Sequence, residues 1–163
     1  MKHIVPPEDI EVRAAEEGLR VWVCSHGGCA TNMLADYLDK RMRGSGVKTP
    51  LWYELLCHAG EHVVLPGVKT VYLWSRDLKA SLEAQKRRGV HEEHYRMLVN
   101  DSEEEYSDSK MLAAMAEQRD RWTKNPNVFS ICYDDFQRSQ VLLERYLDMR
   151  FYGFPAWRGR RRS

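Results

Sequence analysis

Residues 19–24 read LRVWVC, an apolar run rich in β-branched and aromatic side chains, and Ser25-His26-Gly27-Gly28 breaks it at once. From Thr31 the pattern turns helical, with Met33, Leu34, Tyr37, Leu38 and Met42 on one face until Gly44-Ser45-Gly46 ends it. A buried strand, a glycine loop and an amphipathic helix in immediate succession make a βα unit. Such a unit needs a second strand beside the first before its apolar surfaces are covered.

The chain supplies that repetition. Residues 68–74, VKTVYLW, form a second strand after the Pro66-Gly67 turn, and a polar, helix-compatible stretch follows over 77–88. Residues 128–133 form a third strand, and Val141, Leu142, Leu143, Tyr146 and Leu147 line a helix over 139–149. The expected fold is α/β, a three-layer sandwich with a short parallel sheet. Between the second and third units, Ser102-Glu103-Glu104-Glu105 has the form of a capping box. It would open a long packing helix with Met111, Leu112, Met115 and Trp122 on its apolar face. Residues 89–101, with His91, His94 and Tyr95, take no firm assignment.

With 163 residues the chain fits one domain, 1–163, ending in a short basic tail over 158–163 that holds Arg158, Arg160, Arg161 and Arg162. The tail reads first as solvated and second as a contact for phosphate or RNA. Composition is that of a globular protein, 43% hydrophobic and 30% charged, and no apolar run approaches the roughly 20 residues of a membrane span. Residues 1–20 lack the apolar core of a secretory signal, so a cytoplasmic protein is expected. Cys24, Cys29, Cys57 and Cys132 show no paired spacing and read as reduced, partly buried thiols.

A glycine loop between a strand and a helix turns backbone N–H groups toward one point, and the helix amino end favours an anion there. Here the loop is Ser25-His26-Gly27-Gly28-Cys29-Ala30-Thr31-Asn32, with Thr31 as a further hydroxyl donor. Taken alone, Gly-Gly after a strand is more often only a tight turn. The loop has no Lys of the GxxxxGK[ST] kind, so the expected chemistry is phosphate binding without a metal.

Residues 56–77, LCHAGEHVVLPGVKTVYLWSRD, resemble the stretch of cytosolic sulfotransferases in which a KTHLP-like segment leads through a second Leu-Pro to a VVYVxR strand. The 25–32 loop resembles that family's 5′-phosphosulfate loop, and Tyr133-Asp134-Asp135-Phe136 resembles its YEDL-like strand end. The resemblance implies a P-loop-type α/β fold that takes 3′-phosphoadenosine 5′-phosphosulfate (PAPS) as donor and releases adenosine 3′,5′-bisphosphate (PAP). It aligns His58 with the catalytic base and Arg76 with the arginine on the 3′-phosphate. Ser81 stands for the 3′-phosphate serine, about one helical turn early. Arg158 is what survives of the carboxyl-terminal phosphate loop. The family's loop Lys or Arg has no counterpart, and His26 is expected to act as its cationic substitute.

The resemblance thus implies transfer of a sulfuryl group to a hydroxyl or amine on a small-molecule or glycan acceptor, with neither membrane nor nucleic acid as partner. Two alternatives stay open at this point: a P-loop nucleotide or small-molecule kinase, and a non-catalytic nucleotide-binding module. Acceptor and oligomeric state are not written in the sequence.

Overall fold

A computed structural model describes residues 11–12, 14–16, 18–29, 31–42 and 65–152. In chain order they form β1 (Val21–Ser25), α1 (Thr31–Met42), β2 (Lys69–Trp74), α2 (Leu78–Arg87), α3 (His91–Val99), α4 (Asp108–Thr123), β3 (Val128–Cys132), a 3-10 turn (Tyr133–Asp135) and α5 (Phe136–Leu147). The strands make a parallel sheet in the order β1-β2-β3. Val23 lies opposite Val71 and Ser25 opposite Leu73, while Leu73 faces Ile131 and Trp74 faces Cys132. All three strands therefore end on one edge.

Side chains alternate between the two faces of the sheet. Val21, Val23, Val71, Leu73 and Ile131 pack with Leu34, Ala35 and Leu38 of α1 and Leu143 of α5. Trp22, Cys24 and Tyr72 point the other way and pack with Trp122 of α4. There the Trp22 and Trp122 rings meet edge-on at 5.4 Å, and Tyr72 lies 5.1 Å from Trp122. Burying each such side chain stabilises the fold by roughly 1.5–3 kcal/mol. Helices thus cover both faces of the short parallel sheet, as the alternation of the sequence implies. Leu82, Tyr95, Leu98, Met111 and Met115 join α2, α3 and α4 in a further cluster.

One unassigned stretch takes a definite form, and one local expectation needs correcting. Residues 89–101 contain α3, a nine-residue helix with only Tyr95, Met97 and Leu98 buried, too few apolar positions to show a period. Ser102 does not cap α4. The helix begins a turn later, with Ser107 as N-cap accepting the N–H of Lys110, while Asp101 Oδ1 takes the N–H of Glu103 at 3.0 Å and holds the preceding segment in a turn.

Candidate functional site

The carboxyl edge of the sheet is built around the exit from β1. Ser25, fully buried, accepts the Gly27 N–H on its Oγ at 2.9 Å and turns the chain back toward α1. Gly27 and Gly28 both have positive φ, +101° and +71°. A Cβ at Gly27 would lie 2.3 Å from Oε1 of Gln85, and one at Gly28 would lie 2.5 Å from the Ser81 carbonyl oxygen. Both positions favour glycine through their positive φ, and at Gly28 the close approach is to backbone of α2 that cannot easily give way.

His26 is 1% exposed and its two ring nitrogens have separate partners. Nε2 accepts the backbone N–H of Ser75 at 2.9 Å, so it carries the lone pair, and Nδ1–H donates to the Gly27 carbonyl at 2.9 Å. This network assigns a neutral imidazole. The expectation that His26 stands in for a loop cation is therefore corrected: it is a buried link between the loop after β1 and the turn after β2. Cys29, also buried, donates its thiol to the Gly27 carbonyl at 3.7 Å, and Thr31 opens α1 with its side chain largely covered. Asn32 is the second residue of α1. The first turn of α1 holds no acidic residue, which keeps its amino end favourable to an anion.

Beyond β2 the fully buried Ser75 donates its hydroxyl to Asp134, 3.1 Å from Oδ2, and accepts the Asp77 N–H on the same Oγ at 3.1 Å. The Arg76 N–H donates to Asp134 Oδ2 at 2.9 Å, and Arg119 of α4 donates from Nη1 to the carbonyl of Ser75 at 2.8 Å. Asp77 caps α2 by accepting the N–H of Ala80. The Arg76 side chain, 48% exposed, reaches Asp135 Oδ2 from Nη2 at 2.5 Å, and that hydrogen bond pushes the guanidinium pKa up. Arg76, Arg119, Asp134 and Asp135 put two charges of each sign on this edge.

Ser81 does not join Arg76. It is fully buried, its backbone lies under Gly28, and Gln85 Nε2 donates to its carbonyl at 3.3 Å. Ser81, expected to offer a hydroxyl to a ligand beside Arg76, thus stands five residues after it as a buried residue whose backbone lies against the glycine loop. Gln85 escapes a reading of the sequence alone. Its amide meets Gly27 and its Oε1 accepts from His94 Nδ1 at 2.7 Å, linking the loop to α3. The signal for it is the Ser81/Gln85 spacing, which puts both on one helical face. Arg119 gives no such signal.

His58, Ala30 and Arg158 lie outside the described residues, as do residues 56–64 of the 56–77 stretch, Cys57 and the 158–163 tail. Among the described residues Cys24, Cys29 and Cys132 are buried thiols outside any disulfide, no three His, Cys, Asp or Glu side chains are grouped to hold a metal, and no helix is long and apolar enough to cross a membrane. Comparison of the chain with protein-family models, curated proteins and solved structures finds no match.

Proposed function

We propose that the chain is a sulfotransferase of the P-loop-type α/β fold, which binds PAPS along the carboxyl edge of its sheet and transfers the sulfuryl group to a hydroxyl or amine acceptor. The supporting observation is the juxtaposition of the glycine loop after β1 with Arg76 after β2, joined by the His26–Ser75 hydrogen bond. Parallel α/β sheets bind ligands at this edge, and the two segments suit the two phosphate ends of PAP: the amino end of α1 for the 5′ side, a guanidinium fork for the 3′-phosphate.

In the reaction the acceptor oxygen or nitrogen bonds to sulfur while the bond from sulfur to the bridging phosphate oxygen breaks, and the electron pair leaves on PAP. His58 takes the acceptor proton. With His26 neutral, the charge growing on the leaving phosphate falls to backbone N–H groups of the loop and α1.

Calorimetry with PAP, AMP and ATP–Mg²⁺ tests the reading. A charge-assisted contact from Arg76 contributes about 1.5–3 kcal/mol, so PAP is expected to bind at least about tenfold more tightly than AMP, and Arg76→Ala to erase most of that preference. Tightest binding of ATP–Mg²⁺, or equal binding of PAP and AMP, rejects sulfuryl transfer from PAPS. A second reading, a nucleotide-binding module without turnover, is favoured by one observation: the ring nitrogens of His26 are engaged inside the protein, so His26 supplies the loop with no cation. PAP binding without transfer across a broad acceptor panel would establish that one.

A further inference from the structure

The 3-10 turn after β3 ends in Asp135, which is also the N-cap residue of α5. Asp77 and Ser107, the N-caps of α2 and α4, accept a hydrogen bond from their own helices, but Asp135 makes no side-chain cap bond. Its backbone, with ψ of 27°, continues the tight turn, and its carboxylate points to Arg76 instead. The neighbouring Asp134 serves the backbone: it accepts from the Ser75 hydroxyl and the Arg76 N–H and so holds the turn after β2.

We infer that Asp135 is a specificity-determining residue of the anion site, an internal carboxylate that competes with a ligand phosphate for the Arg76 guanidinium. The inference rests on Arg76 binding phosphate, as proposed above. The two side chains meet from Nη2 to Oδ2 and are 48% and 36% exposed. Solvent-exposed pairs of this kind exchange partners at little cost, whereas a phosphate dianion offers the guanidinium fork two parallel hydrogen bonds and a larger charge. A terminal phosphate monoester displaces the carboxylate; a ligand without one beside Arg76 leaves the pair intact. Asp135 thereby lowers affinity for PAP and leaves affinity for AMP, which has no 3′-phosphate, almost unchanged.

Calorimetric titration of the full chain and its Asp135→Asn variant with PAP and AMP tests this. The substitution is expected to tighten PAP binding about two- to fivefold and to leave AMP binding almost unchanged. In an Arg76→Ala background Asp135→Asn is expected to give no gain. Asp135→Ser, neutral and suited to an N-cap, provides the same comparison if circular dichroism shows that the Asn variant does not fold. PAP affinity at or below that of the wild type in both variants, with the wild type still preferring PAP over AMP, overturns the role of Asp135 alone. A gain that persists without Arg76 overturns it as well, since the carboxylate would then act on the ligand directly. Equal PAP and AMP affinities in the wild type overturn the reading of Arg76, and the role of Asp135 falls with it.

Discussion

His26 Nε2 accepts the N–H of Ser75 at 2.9 Å inside the protein, so the loop after β1 and the turn after β2 hold one another in place. Removing the acceptor leaves a buried N–H unpaired, at about 1–3 kcal/mol. His26→Ala is therefore expected to lose about that much stability in urea unfolding. His26→Gln, which keeps an acceptor near the same position, should lose less. His26→Lys should lose the most, because it places an ammonium donor against a donor and buries a charge. A Lys variant as stable as the wild type, with faster sulfuryl transfer, would restore the cationic role.

Gly28 and Gly89 separate backbone strain from close approach. Their φ values are nearly equal, +71° and +69°, but a Cβ at Gly28 would lie 2.5 Å from the Ser81 carbonyl oxygen, while one at Gly89 meets nothing within 4 Å. Gly89→Ala is expected to cost about 1 kcal/mol, the ordinary penalty for the left-handed region. For Gly28→Ala the expected loss is on the order of 3 kcal/mol, since backbone must also shift. Equal midpoints in thermal unfolding would mean that the loop does not rest on α2.

Tyr72 is expected to contribute to the alkaline limb of stability. Burial pushes its hydroxyl pKa far above the ordinary value of 10.0, and the hydroxyl donates to Gln118 Oε1 at 2.7 Å. The folded protein keeps a proton that the unfolded chain releases, so the stabilisation is complete below about pH 10 and is lost as pH rises above it. Tyr95 and Tyr106 are shifted in the same direction, also chiefly by burial. Tyr72→Phe is expected to flatten, not abolish, the fall in stability above pH 10, and to cost about 1–2 kcal/mol at neutral pH by taking from Gln118 the hydroxyl that donates to it. Denaturant midpoints measured across alkaline pH check both effects; an unchanged alkaline slope would remove Tyr72 from the account.

For the transfer reaction, His58→Ala is expected to lower turnover roughly 100-fold while PAP affinity hardly changes, because an imidazole base acts on the acceptor proton and not on the donor nucleotide. The motive is the place of His58 in the 56–77 stretch, upstream of β2. Single-turnover rates together with PAP titration separate the two effects. Full activity in the Ala variant would assign the proton to another group.

The three strands are legible because the residues of each run alternate between two apolar faces and end at glycine or polar breaks: 19–24, 68–74 and 128–133 in sequence, Val21–Ser25, Lys69–Trp74 and Val128–Cys132 in the fold. Helix α3 is not, since three buried residues in nine leave no period. The loop after β1 is found by its place after an apolar run, Arg76 by the resemblance of the 56–77 stretch, and the two do lie on one edge. What the sequence conceals is the direction of each side chain there. Nothing in the string SHGG says that the imidazole turns inward to Ser75, or that Arg76 turns out to Asp135. Those directions depend on contacts between segments far apart in the chain.

That distance has a kinetic consequence. In the parallel order β1-β2-β3, Val21 waits for Lys69 and Thr70 for Val128, partners about fifty and sixty residues away. The loop-closure entropy of both crossovers must be met before either strand pair contributes, so helices α2, α3 and α4 are expected to gather first and the sheet to close around them. The edge that carries Gly28, Arg76 and Asp135 comes into being only with that last closure. A fragment lacking β2 is therefore expected to lose the pairing that holds the loop after β1 against the turn that follows β2.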